Sequence, residues 1–138
     1  MTVSSIKATL QSDIQTVWEV VTTVQDYTWR SDLSKTEILD NRRFVEYTKE
    51  GYATTFTITV TEPRKRWEFD MENSNMSGHW RGIFTGSGVQ TEVEFTEAVT
   101  VKKIFMKPFV KGYLKKQQTL FLSDLEKELK RRQDHADK

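Results

Sequence analysis

The chain has 138 residues, 21 Lys plus Arg against 20 Asp plus Glu, a formal net charge of +1 and no cysteine. That length suits one domain spanning residues 1–138, with a core large enough to need no staples, and the balanced charge gives no global reason to expect nucleic acid as a partner. The absence of cysteine excludes disulfides, thiolate metal sites and cysteine nucleophiles.

In chain order, Val3 to Leu10 comes first, with Ile6, Ala8 and Leu10 on one face of a half-buried strand. Ser12 with Gln15 three residues on is a capping-box pattern, and Ile14, Val17, Trp18 and Val21 at helical spacing predict a short helix from about Asp13 to Thr23. Residues 25–30, with Tyr27 and Trp29, read as a second short helix or an ordered loop. Beyond Leu33 the pattern changes to six short segments separated by Asp40-Asn41, Glu50-Gly51, Glu62-Pro63-Arg64, Asn73-Ser74-Asn75 and Gly86-Ser87-Gly88. Links this short join antiparallel neighbours, so the segments predict a meander. Tyr52, Thr54, Phe56, Ile58 and Val60 share one face; so do Trp67, Phe69 and Met71, then Met76, Trp80 and Phe84, then Val93 and Phe95. One greasy face and one polar face are the mark of a sheet with a single wet side. Gly78, Gly82 and Gly86 fall on the aromatic face, where they bend the sheet or relieve crowding beside large rings. From about Met106 to Gln133, Val110, Leu114, Phe121, Leu125 and Leu129 mark a long amphipathic helix of roughly 40 Å.

This order predicts an α+β chain: a strand, two short helices, six more antiparallel strands and a closing helix. A curved sheet of about seven strands wrapped around a long C-terminal helix is the helix-grip arrangement. With Val17-Trp18, Asp26 and Trp29 near the start, Gly78-x-Trp80 in a late strand and Thr91-x-Val93-x-Phe95 before the last helix, the chain resembles the START-like superfamily. The likeness is to its polyketide-cyclase/dehydrase and lipid-transport branch and extends over essentially the whole chain. The resemblance implies an apolar cavity between sheet and helix and a small hydrophobic or amphipathic ligand. It transfers no catalytic set residue by residue. The branch also holds enzymes, and the fold also serves interaction modules, so a cyclase, dehydratase or isomerase and a protein-docking module stand as alternatives.

The residues expected to face such a cavity are Tyr47, Phe56, Ile58, Trp67, Phe69, Met71, Trp80, Phe84, Val93 and Phe95, with Tyr113 and Gln117 from the helix. Apolar walls with a few placed polar groups make a ligand pocket, and they equally make a packed core. Glu97 continues the Val93 and Phe95 register. Turned inward, it is a desolvated carboxylate suited to acid–base work; at a strand end or bulge, it is solvated. His79 alternates with Gly78 and Trp80, which puts it on the wet face; the other histidine, His135, lies in a charged tail. That leaves no base for a Ser-His-Asp arrangement and no basis for a metal site or another cofactor. Lys103, Lys107, Lys111 and Lys115 recur every fourth residue at the start of the last helix, beside Phe105, Met106 and Phe109. Such a stripe meets an anionic membrane, an acidic headgroup or a partner, or is simply a solvated lysine face. There is no glycine-rich phosphate loop, no apolar run of roughly 18 residues and no apolar signal core. The expected compartment is the cytoplasm.

Overall fold

In the computed structural model, which describes residues 1–136, the period-two alternation becomes seven strands. They are β1 (Thr2–Leu10), β2 (Leu33–Ile38), β3 (Arg43–Thr48), β4 (Ala53–Glu62), β5 (Arg66–Glu72), β6 (Met76–Ser87) and β7 (Gln90–Val101). All pair antiparallel in one sheet of order β1-β7-β6-β5-β4-β3-β2. β2 to β7 form the meander that the short links require, and β1 returns to the far edge beside β7, with Ile6 opposite Phe95 and Ser4 opposite Glu97. One helix, α1 (Ile14–Thr22), follows β1, and the long helix α2 (Val110–Ala136) closes the chain. α2 packs along β1 and touches α1 and β7.

Local chemistry shifts several boundaries. Asp13, not Ser12, caps α1: its carboxylate accepts from the Thr16 N–H (3.2 Å) and the Thr16 hydroxyl (2.7 Å). Ser12 is held elsewhere, its carbonyl accepting from the Thr91 hydroxyl at 2.8 Å and its hydroxyl from the Gln133 amide at 2.9 Å. Residues 25–30 form no second helix. The Asp26 and Arg30 N–H groups close isolated turns onto Thr23 and Tyr27, and the Trp29 and Arg30 side chains are drawn to Phe121 of α2 and to Asp32 and Glu46. The last helix begins at Val110 rather than Met106. Ile104–Phe109 is a 3-10 turn with Pro108 inside it.

The core lies between the concave face of the sheet and the two helices. Val17, Phe95, Val93, Leu114 and Leu125 are almost fully buried there. The glycines of β6 act by close approach. A Cβ on Gly82 would stand 2.6 Å from the Trp80 ring, and one on Gly78 would stand 2.5 Å from the Ala98 carbonyl oxygen. Gly82 thus lets the Trp80 indole lie down across the sheet.

Candidate functional site

Side-chain packing leaves one large hollow between the sheet and α2, a cavity of about 550 Å³. Its floor is aromatic because β4, β5, β6 and β7 each present one face inward. Phe44 stacks on Phe56 with centroids 4.9 Å apart, Phe56 meets Phe69 edge-on at 5.0 Å, and Phe69 stacks on Trp80 at 4.9 Å. Trp80 then leans on Phe95 at 5.1 Å, and Phe95 meets Phe121 of α2 edge-on at 5.5 Å. This interlocked series makes a wall that resists collapse, each offset or edge-on pair adding to its area burial.

One end of the cavity is polar. The Arg30 guanidinium grips Asp32 through two bonds of 3.2 Å and reaches Glu46 at 3.3 Å, while its planar face lies 4.9 Å from the Phe121 ring centroid. Burial works against the Arg30 charge, but Glu46 and Asp32 outweigh it and hold its pKa above the ordinary value. Burial likewise pushes the Glu46 carboxyl upward, with Arg30 opposing. The loop that carries Arg30 is pinned to α2, because the Ser31 N–H and hydroxyl both donate to buried Asp124 at 2.8 Å.

Glu97 lies in mid-strand, on the wall beside these groups. Burial first, and the nearby Glu46 second, raise its pKa to about 7, with Arg30 acting in the opposite sense. No hydrogen bond or ion pair to its carboxylate is formed among the described residues. Tyr113, 49% exposed, stands where α2 borders the cavity. Its hydroxyl pKa is raised by desolvation and by Glu97. Gln117 also borders the cavity. Gln118 is committed to the fold: it accepts from the Ser4 hydroxyl at 2.8 Å and donates to the Ser4 carbonyl at 2.8 Å, tying α2 to β1.

Of the residues expected on the cavity wall, Phe56, Trp67, Phe69, Met71, Trp80, Phe95, Tyr113 and Gln117 line it, as does Glu97. Tyr47, Ile58 and Phe84 do not. Tyr47 faces outward, its ring under the Lys35 ammonium at 4.6 Å, because the inward phase of β3 is Phe44, Glu46 and Thr48. Ile58 sits at a register shift in β4, and Phe84 is buried beneath α1 against Trp18. Val93 is buried in the core rather than on the wall. Reading the sequence for apolar residues missed Arg30, Asp32 and Glu46. The signal for Glu46 was the i, i+2 phase from Phe44; nothing local marks the loop pair.

His79 lies on the outer face of the sheet between Asp70 (2.7 Å) and Glu68 (2.6 Å). Burial lowers its pKa, but the bonds from Asp70 and Glu68 win and raise it. The lysine series is not one helical stripe. Lys103 precedes the 3-10 turn, Lys107 lies in it, and Lys111 and Lys115 belong to α2, with the Lys115 ammonium donating to the Ser5 carbonyl. Beside them Ile104, Phe105 and Phe109 are 84%, 71% and 72% exposed. Among the described residues no group of three or more acidic or histidine side chains is arranged to hold a metal ion, and no helix is long and apolar enough to cross a membrane.

The family described as "Polyketide cyclase / dehydrase and lipid transport" matches residues 1–130. No curated protein is significantly similar in sequence. Among solved structures, a START superfamily protein from Mycobacterium smegmatis superposes with a TM-score of 0.84 at 14% identity, over 94% of this chain and 97% of that one. A conserved protein from Geobacillus kaustophilus gives 0.82 at 12% identity, over 94% and 96%. The Zhui aromatase/cyclase from Streptomyces sp. R1128 gives 0.76 at 16% identity, over 95% and 94%. At these identities the likeness is one of fold, and the helix-grip architecture is common to all three.

Proposed function

The chain belongs to the polyketide cyclase/dehydrase and lipid-transport family, and from that premise we propose that it binds a small amphipathic molecule in the cavity between the sheet and α2. The observation that carries this reading is the cavity itself. Its volume of about 550 Å³ persists although Trp67, Trp80, Phe69 and Phe95 all face inward, and it has an aromatic floor and a polar end. Ligand sites are built this way, with apolar walls for affinity and a few convergent polar groups for orientation. In this reading Phe56, Trp67, Phe69, Trp80 and Phe95 hold the apolar part, and Tyr113 and Gln117 border the entrance. Tyr47, Ile58 and Phe84 have no direct part.

A second reading, proton-transfer catalysis of the cyclase or dehydratase kind, is favoured by Glu97. An unpaired carboxyl with a pKa of about 7 divides its time between acid and base near neutrality, which is where general acid–base groups work best. The structural likeness to an aromatase/cyclase is compatible with it.

Mass spectrometry of the freshly purified protein, folded and then denatured, separates these readings. Binding predicts a reproducible extra mass that is lost on denaturation and an identifiable small molecule released. Catalysis predicts a bare protein that converts an added substrate, with conversion lost in Glu97→Gln. A bare protein that neither retains nor converts any amphipathic molecule overturns both. We also propose that Lys103, Lys107, Lys111 and Lys115, with Phe105 and Phe109 between them, meet an anionic membrane surface. Exposed apolar side chains set among cations suit that contact.

A further inference from the structure

The polar end of the cavity holds more negative charge than the protein neutralises. Asp32, Glu46 and Glu97 face it, and Arg30 is the cation among them. Arg30 is bonded to Asp32 and Glu46 and acts on Glu97 only from a distance, which leaves Glu97 without a directly paired cation among the described residues. Lys49 and Glu50, which also border the cavity, cancel one another in formal charge. A half-buried carboxylate without a partner is costly, and a ligand that brings a positive charge removes that cost.

The aromatic walls point the same way. Trp80 is directly opposite Glu97 in the β6–β7 register, so indole and carboxylate share one face of the sheet. Phe121 faces them from α2 and already holds a cation, the Arg30 guanidinium, 4.9 Å from its ring centroid. Aromatic rings beside an unpaired carboxylate attract organic cations through the ring quadrupole as well as through charge.

We propose that the cavity takes an amphiphile with a cationic nitrogen head, a protonated amine or a quaternary ammonium, seated between Glu97 and Trp80 with its apolar tail along the aromatic floor. This rests on the ligand-binding reading above and adds the class of ligand. The charged and titratable groups that face Glu97 are Glu46 from β3, Arg30 and Asp32 from the loop before β2, Tyr52 just before β4 and Tyr113 from α2. Burial raises Glu46 as well, with Arg30 opposing, and Glu97, raised to about 7, is the carboxyl that titrates near neutrality.

The test uses three ligands that share one tail: octyltrimethylammonium, octanol and octyl sulfonate, each below its aggregation concentration. Binding to the full chain is followed by tryptophan fluorescence and by calorimetry. The ammonium is expected to bind roughly tenfold tighter than octanol at pH 8, and the sulfonate more weakly than either. The preference for the ammonium should shrink several-fold between pH 8 and pH 6. Glu97→Gln keeps the side-chain shape and should abolish both the preference and its pH trend while octanol binding persists; an unchanged melting profile shows that the variant is folded. Equal affinities for the three at pH 8, or tighter binding of octanol than of the ammonium there, overturn the cation and leave the ligand-binding reading standing. A pH trend that survives in Glu97→Gln overturns the role of Glu97. If none of the three enters, the ligand-binding reading itself falls.

Discussion

Glu97 and Glu128 are the same residue type displaced in opposite directions, and the difference lies in their partners. Glu128 accepts from Arg131 and Arg132 at 2.8 Å, first among the causes that bring its pKa down to about 2. Glu97 has no such donor, and burial carries it up to about 7. The sign of each effect on stability follows. A carboxyl whose pKa is lowered by folding stabilises the protein above its unfolded value near 4.5, and that contribution drains away as pH falls toward 2. A carboxyl whose pKa is raised by folding costs stability progressively as pH climbs from 4.5 to 7. His79, raised by Asp70 and Glu68 against the effect of burial, adds stability that is fully present below its ordinary 6.5 and is lost as pH rises through its folded value. All three push the optimum to the same place. The melting temperature should peak near pH 5, falling on the alkaline side toward pH 8 and on the acid side below pH 4. Glu97→Gln should flatten the alkaline limb, recovering about 1–2 kcal/mol at pH 8 after allowance for water in the cavity. Glu128→Gln should flatten the acid limb. A melting temperature that is level from pH 5 to pH 8 in the parent protein rules out a desolvated Glu97.

Among the elements, β6 is tightly constrained, since neighbours occupy the space where Gly78 and Gly82 lack a Cβ. At Gly82 the obstacle is a side chain, the Trp80 ring. At Gly78 it is the Ala98 carbonyl oxygen and the Val99 side chain of β7. A ring can tilt, but a paired strand cannot recede without breaking its ladder. Gly78→Ala should therefore destabilise by about 2 kcal/mol or more, while Gly82→Ala should cost less and chiefly perturb the environment of Trp80. Chemical denaturation with near-ultraviolet circular dichroism measures both, and the reverse order of costs would contradict the packing described for β6. The alternation and the turn residues made the strands, the meander of β2 to β7 and the long helix readable from the sequence, because period two and period 3.6 are written into neighbouring positions; the pairing of β1 with β7 was not. Both readings of the β6 glycines were visible as well, but choosing between them needs the atoms of β7. The Arg30–Asp32–Glu46 cluster was not legible. Arg30 and Asp32 stand in a loop without periodicity, and their partner Glu46 comes from another element. Tyr47 was placed inward for the same reason, since one aromatic in a short strand does not fix its phase, whereas Phe44 with Glu46 and Thr48 does.

Over the whole molecule charge is balanced but unevenly distributed. Between Glu97 and Asp124 there are six lysines and no acid. Two of the six are engaged by the fold, Lys102 with the Asn73 carbonyl and Glu72, and Lys115 with the Ser5 carbonyl. Lys103, Lys107 and Lys111 form no ion pair among the described residues, and they alternate in sequence with the exposed Ile104, Phe105 and Phe109. Three large apolar side chains held open on one short turn cost solubility, so solvation alone does not explain the arrangement. The turn leads into the part of α2 that carries Tyr113 and Gln117 at the cavity border, so a membrane contact there would bring a lipid-soluble ligand to the entrance. Vesicles of phosphatidylcholine with phosphatidylserine should therefore sediment the protein, and vesicles of phosphatidylcholine alone should not. Raising the salt concentration or introducing Lys107→Glu with Lys111→Glu should release it, since each lysine near an anionic surface contributes about 1 kcal/mol. Phe105→Ser with Phe109→Ser should weaken the contact at low salt as well, through the lost apolar insertion. Both pairs are exposed and should leave the melting temperature within about 1 °C of the parent, because surface changes of this kind are close to neutral for stability. Equal sedimentation with both kinds of vesicle, or none with either, would leave this face as an ordinary lysine surface.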